Sequence, residues 1–130
     1  MAIRTTGPSG QCDNEPGAAE AALPELLAPV GGLDQMLAAT AAGADAVYAG
    51  LGGFNARVSA HGFTDDEFAR GCVVAHAHGV RVYVTLNVFV FDDELADAVA
   101  LGARAQELGA DALIVADAGL ACALRAAIPG

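Results

Sequence analysis

The chain has 130 residues, enough for one domain of ordinary size, and 55% of them are hydrophobic, many being alanine or valine. It has no lysine, and six arginines face 16 acidic residues for a formal charge of −10. Such a surface repels phosphate backbones, so the chain by itself is not an electrostatic nucleic-acid binder; nor does any apolar run approach the roughly 18 residues of a membrane span.

Residues 1–23, MAIRTTGPSGQCDNEPGAAEAAL, mix Gly, Pro, Ser, Ala and acids without apolar periodicity. They are expected to be a disordered tail, and they show no basic-then-hydrophobic leader. The pattern changes at Pro24. ELLAPV (25–30) reads as a first strand, followed by a helix over about 34–42. DAVYAG (45–50) is a second strand and 64–78 a second helix, opened by a capping box in which Thr64 and Glu67 each satisfy a backbone amide of the first turn. RVYVTLN (81–87) is a third strand. In the third helix, 93–108, Leu95, Ala98, Val99, Gly102, Ala105 and Leu108 follow helical spacing, and Asp92, Asp93 and Glu94 suit its positive end. DALIVAD (111–117) is a fourth strand, with a last helix over 118–127. The strands are near-continuous apolar runs, the pattern of strands buried on both faces.

The helix exits repeat. GADAVY (43–48), GVRVYV (79–84) and GADALI (109–114) each put a glycine where a left-handed residue stops a helix and then launch a strand. Their spacing, 36 and then 30 residues, is that of a βα unit. Four such units in strict alternation predict an α/β fold with a parallel sheet and helical cover. Two architectures satisfy this: the N-terminal half of a TIM-type (β/α)8 barrel, whose full length is about 250 residues, or a small four-stranded doubly wound sheet. Residues 24–130 hold about half a barrel and stop at AAIPG, where a fifth strand should begin. Half a barrel leaves two strand edges unpaired, which intact proteins avoid. A barrel domain truncated before its fifth strand is the favoured reading.

In such a barrel the loops after the strands form the active face. Here they are 29–32, 50–62, 87–91 and the region of Asp117 and Gly119. Arg57 is the one arginine expected there: Arg81 begins a strand at the opposite end, Arg70, Arg104 and Arg125 fall in helices, and Arg4 is in the tail. An arginine fork suits a carboxylate or phosphate, or else a salt bridge to Asp65 or Asp66. Asn55 can bond a ligand or cap its own loop. Asn87 ends a strand where a site should be. Asp117 can bind or can N-cap the last helix. Gly31 and Gly32 allow close backbone approach ahead of a helix N-terminus. Ser59 and His61 lack a nucleophile-elbow context and an orienting third group, so catalysis is not assigned to them. His76 and His78 suit a helix C-terminus, and Cys72 is a small apolar helix residue. Cys12, Cys72 and Cys122 are odd in number and 60 and 50 residues apart, neither a disulfide framework nor a metal set, which points to a reduced cytoplasmic protein.

ELLAPVGG, GADAVYAG, FNAR and VYVTLN, in this order and spacing, resemble the opening of peptidase family U32, the collagenase-like proteases. The resemblance covers residues 24–129. It implies an enzyme family with several kinds of member: peptidases by name, and factors that hydroxylate tRNA uridine, ribosomal RNA cytidine or the ubiquinone ring without oxygen. The RNA-modifying members imply prephenate and an iron–sulfur cluster held by four cysteines after the fifth strand, hence beyond Gly130, with no cluster ligand in this chain. The expected function is therefore the N-terminal part of an RNA-base hydroxylation enzyme, with two rivals: a peptidase, and a non-catalytic half-barrel lobe. The expected partner is the rest of the barrel or a second chain, with RNA or a small molecule as substrate and no membrane. The fragment alone is expected to be inactive.

Overall fold

Helices and strands alternate without exception in the computed structural model, which describes residues 23–55 and 62–128. The expected tail lies outside the described residues except for Leu23, and so do Arg57, Ser59 and His61. The elements are β1 (Leu27–Val30), α1 (Leu33–Ala41), β2 (Ala46–Gly50), α2 (Asp65–Ala77), β3 (Arg81–Leu86), α3 (Leu95–Glu107), β4 (Ala112–Val115) and α4 (Ala118–Ala127). All the strands pair in parallel, in the order β1-β2-β3-β4. The α/β fold with a four-stranded parallel sheet is as the sequence predicts.

A doubly wound sheet reverses its strand order at a switch point, and this sheet has no reversal. Right-handed crossovers that always step the same way put every helix on one face. The helices do form a row: α1 packs on α2 and α3 on α4, and Arg104 of α3 reaches Asp65 of α2 at 2.8 Å. On that face Val30, Val47, Ala49, Val82 and Val84 pack with Met36, Phe68, Cys72 and Ala75. Leu86 joins Ala98, Leu120 and Leu124 in a second cluster. Burying a side chain such as Phe68, wholly inaccessible, stabilises the fold by about 1.5–3 kcal/mol.

The other sheet face is only partly covered by the described residues: Ala46 and Thr85 are buried on it, while its ends are open. Leu27 stays 43% exposed and Ile114 37%. Register aligns Pro29, Tyr48, Tyr83 and Ala112 in one row across this face, and Gly50, Thr85 and Ile114 in the next. The apolar strand runs thus serve two different surfaces, of which the described residues cover one more fully than the other.

The repeated glycines do what their spacing implies. Gly43, Gly79 and Gly109 have φ of +87°, +74° and +109° and close α1, α2 and α3. The aspartate two residues on has its own role, which the repeat did not reveal. Asp45 donates its N–H to the Leu26 carbonyl at 2.9 Å while its carboxylate accepts the Leu26 N–H at 2.6 Å. Asp111 treats Val82 the same way, both bonds being 2.7 Å. Each GAD triplet therefore ends a helix and clips the new strand to the start of the preceding one. His76 adds a 2.8 Å contact to the Asp111 carboxylate. Asp111→Ala leaves the half-buried Val82 N–H unpaired and is expected to cost about 1–3 kcal/mol, read as a lower urea midpoint.

The capping box forms as predicted, Glu67 N–H donating to Thr64 Oγ1 at 3.2 Å and Thr64 N–H to Glu67 Oε2 at 3.0 Å. The Thr64 amide, then its hydroxyl, holds the Glu67 carboxyl below its ordinary value. The acids ahead of α3 act more locally than expected: Glu94 accepts the Phe91 N–H at 3.1 Å and caps no helix amide with its side chain.

Candidate functional site

At the C-terminal ends of β1, β2 and β3 lies a cleft of about 310 Å³. Pro29, Val30, Gly31, Gln35, Tyr48, Gly50, Asn55, Thr85 and Asn87 line it. Three of the sequence-derived site residues, Gly31, Asn55 and Asn87, thus meet in one place. No charged side chain lines the cleft among the described residues, in a chain of charge −10.

Local bonds fix the walls. Gln35, in the first turn of α1, accepts the Gly31 N–H on its Oε1 at 2.6 Å. That bond orients the amide and leaves its amino group as a donor. Asn55 donates to the Gly52 carbonyl at 2.8 Å, so loop capping is one of its roles. Its amide lies over the backbone of Gly50, where a Cβ would sit 2.6 Å from Asn55 Cγ. Gly52 makes this return possible with φ +61°. Thr85, on the partly open sheet face, donates its hydroxyl to the Ala49 carbonyl at 3.2 Å. Gln35, Tyr48 and Thr85 are absent from the sequence-derived site. The signal was present: Tyr48 and Thr85 are the alternate, helix-averted positions of DAVYAG and RVYVTLN.

The other expected residues lie apart from this cleft. Gly32 is the N-cap of α1, with extended φ of −175°, and faces a neighbouring groove with Asp34 and Glu67. Asp117 N-caps α4, accepting the Leu120 N–H at 2.9 Å, and reaches the Val90 N–H at 3.4 Å. It therefore ties the loop after β4 to the loop after β3. These amides, Leu120 first and Val90 second, hold its carboxyl below the ordinary 3.8. A carboxyl depressed by folding stabilises above its ordinary pKa and stops doing so as pH falls through its folded value. The difference in Tm between the wild-type protein and Asp117→Ala is expected to be full at neutral pH and to narrow on acidification below 3.8.

Arg57 lies outside the described residues. Asp65, one of its possible salt-bridge partners, is engaged by Arg104, whose Nε and terminal nitrogen both reach Asp65 Oδ2, at 3.1 and 2.8 Å. Arg81 pairs with Glu25 at the opposite end of the sheet, as placed from sequence.

Cys72 is buried and Cys122 exposed. Burial, followed by the nearby Asp111 carboxylate, pushes the Cys72 thiol up to about 11, so it is a poor nucleophile. Peptide mapping after iodoacetamide treatment at pH 8 is expected to find Cys122 alkylated in the native protein and Cys72 only after denaturation. Among the described residues no group of three His, Cys, Asp or Glu side chains could hold a metal. The described cysteines accordingly do not fit an iron–sulfur cluster. No described helix is long and apolar enough to cross a membrane.

The sequence profile of peptidase family U32 matches residues 31–130. The chain belongs to peptidase family U32. Among curated U32-like relatives, tRNA hydroxylation protein P of Escherichia coli is 39% identical over 82% of this chain and 23% of its own length. The 23S rRNA 5-hydroxycytidine C2501 synthase of E. coli is 42% identical over 74% of this chain and 14% of its own. The collagenase of Porphyromonas gingivalis is 35% identical over 72% of this chain and 23% of its own. The chain thus spans about a quarter or less of these U32 relatives. No solved structure gives a significant match.

Proposed function

We propose that residues 24–130 form the N-terminal half of a (β/α)8 barrel, and that the completed barrel hydroxylates an RNA base in the cytoplasm. Reversal-free strand order and a sheet face only partly covered support the first part. In a barrel that face meets the opposite strands, and rows such as Pro29–Tyr48–Tyr83–Ala112 become layers of its interior. The remainder of the barrel comes from further chain or from a partner polypeptide.

The observation that carries the second part is the cleft without charged side chains, walled by the amides of Gln35, Asn55 and Asn87. Amides offer donors and acceptors in one plane, which suits the edge of a nucleobase better than it suits a phosphate or a peptide backbone awaiting hydrolysis. Hydrolysis by covalent catalysis needs a nucleophile, a base in reach and an orienting group, and no such set lines this cleft among the described residues. Relatives named for tRNA and 23S rRNA hydroxylation agree with this reading; the relative named collagenase keeps a peptidase as the second reading.

In this scheme Gln35 and Asn55 position the base, Thr85 and Tyr48 form the floor, and Arg57 meets an anionic group of the substrate or co-substrate. An iron–sulfur cluster in the completed protein would be held by cysteines outside residues 24–130. The full-length protein is expected to carry iron and acid-labile sulfide and to leave collagen peptides intact. Iron-free protein that cleaves those peptides would overturn the hydroxylase reading.

A further inference from the structure

We propose that Phe89 and Phe91 form a stacking platform for unpaired bases of the RNA, beside the cleft. The inference rests on the RNA reading above and adds a contact surface to it. Phe89 is 81% exposed and Phe91 74%, an unusual display of large rings. The loop that carries them is nonetheless pinned. Val90, between them, packs against the cluster of Leu86, Ala98, Leu120 and Leu124. The Val90 N–H reaches Asp117 Oδ2, the Phe91 N–H donates to Glu94 Oε2 at 3.1 Å, and the Glu94 N–H returns to the Phe91 carbonyl at 2.9 Å. Val90 is partly buried while the rings on either side of it are exposed. The rings are therefore presented at little further entropic cost on binding.

Position selects the partner, and the local charge means that any binding there rests on the rings. The loop follows directly from Asn87 on the cleft wall, so a strand of RNA whose target base enters the cleft runs its neighbouring bases past Phe89 and Phe91. Asp92, Asp93 and Glu94 come next in the chain and repel phosphates, which leaves ring faces as the attractive feature. Aromatic stacking on bases is sequence-tolerant and does not depend on cations.

The test uses the full-length protein and a fluorescein-labelled single-stranded oligouridylate, with binding read by anisotropy at several salt concentrations. Phe89→Ala and Phe91→Ala are each expected to weaken binding roughly fivefold or more. The slope of affinity against salt should not change, because no phosphate contact is lost. Phe→Tyr at either site should restore most of the affinity, and Tm should stay at the wild-type value. Unchanged affinity with a lowered Tm would overturn the proposal, since the rings would then be covered by the protein itself. If the protein hydroxylates RNA in cells yet both alanine variants bind like wild type, the platform alone is wrong. If the wild-type protein neither binds nor modifies RNA, the platform and the RNA reading fall together.

Discussion

Gly102→Val is expected to destabilise the protein by about 1–3 kcal/mol, the usual cost of overpacking a filled interface. Gly102 is buried in α3 where α4 crosses it. A Cβ at this position would overlap Leu124 Cδ2, press on Leu113 Cδ1 at 3.2 Å and touch Ile128 Cδ1 at an ordinary 3.5 Å. Leu124 has little room to give way, because it and Leu120 are the seat of α4, 5% and 1% exposed. Gly102→Ala should cost less, since alanine recovers up to about 1 kcal/mol of helix propensity and one methyl demands less space. Gly62→Ala, where nothing lies within 4 Å, is the control. Urea midpoints of the three variants of the full-length protein make the comparison. A Gly102→Val midpoint equal to that of the control would mean that α4 does not pack as described.

Gly50→Ala is expected to damage function more than folding. The new methyl would lie 2.6, 2.7 and 2.9 Å from the three terminal atoms of the Asn55 side chain. Asn55 must then swing off its bond to the Gly52 carbonyl, moving one wall of the cleft by about the width of a methyl group. Displacements of this order at a positioning residue cost up to about a hundredfold in rate; a fall of at least roughly tenfold in the proposed RNA hydroxylation is the expected result. Gly53→Ala, three residues along in open space, should leave activity intact. Equal activity of the two variants would remove Asn55 from the working site.

The alternation of elements was legible because each carries a local signal. Four apolar strand runs, three glycine helix stops and the Thr64–Glu67 box are short-range patterns, and the observed bounds fall within two residues of most of them. The family was legible from GADAVYAG, FNAR and VYVTLN. The tail and Arg57, for which the sequence also made expectations, lie outside the described residues. What escaped the reading involves partners far apart in sequence. Asp111 clips Val82 and meets His76 across 29 and 35 positions, and Arg104 holds Asp65 across 39. No pattern within a single element announces such pairs. The partly open sheet face escaped for another reason: an apolar run reports that a strand is to be buried, without saying by what. In the cleft, Asn55 and Asn87 stood out as polar residues at strand ends, whereas Tyr48 and Thr85 were hidden inside apolar strands and Gln35 inside a helix.

RNA hydroxylation by the completed barrel, as proposed above, is to be read by nucleoside mass spectrometry. Digested tRNA and ribosomal RNA would be compared between cells that carry the gene and cells that lack it. One pyrimidine nucleoside bearing an added oxygen is expected to disappear with the gene, return with the wild-type copy and return only weakly with Gly50→Ala. Identical nucleoside profiles with and without the gene would contradict that proposal.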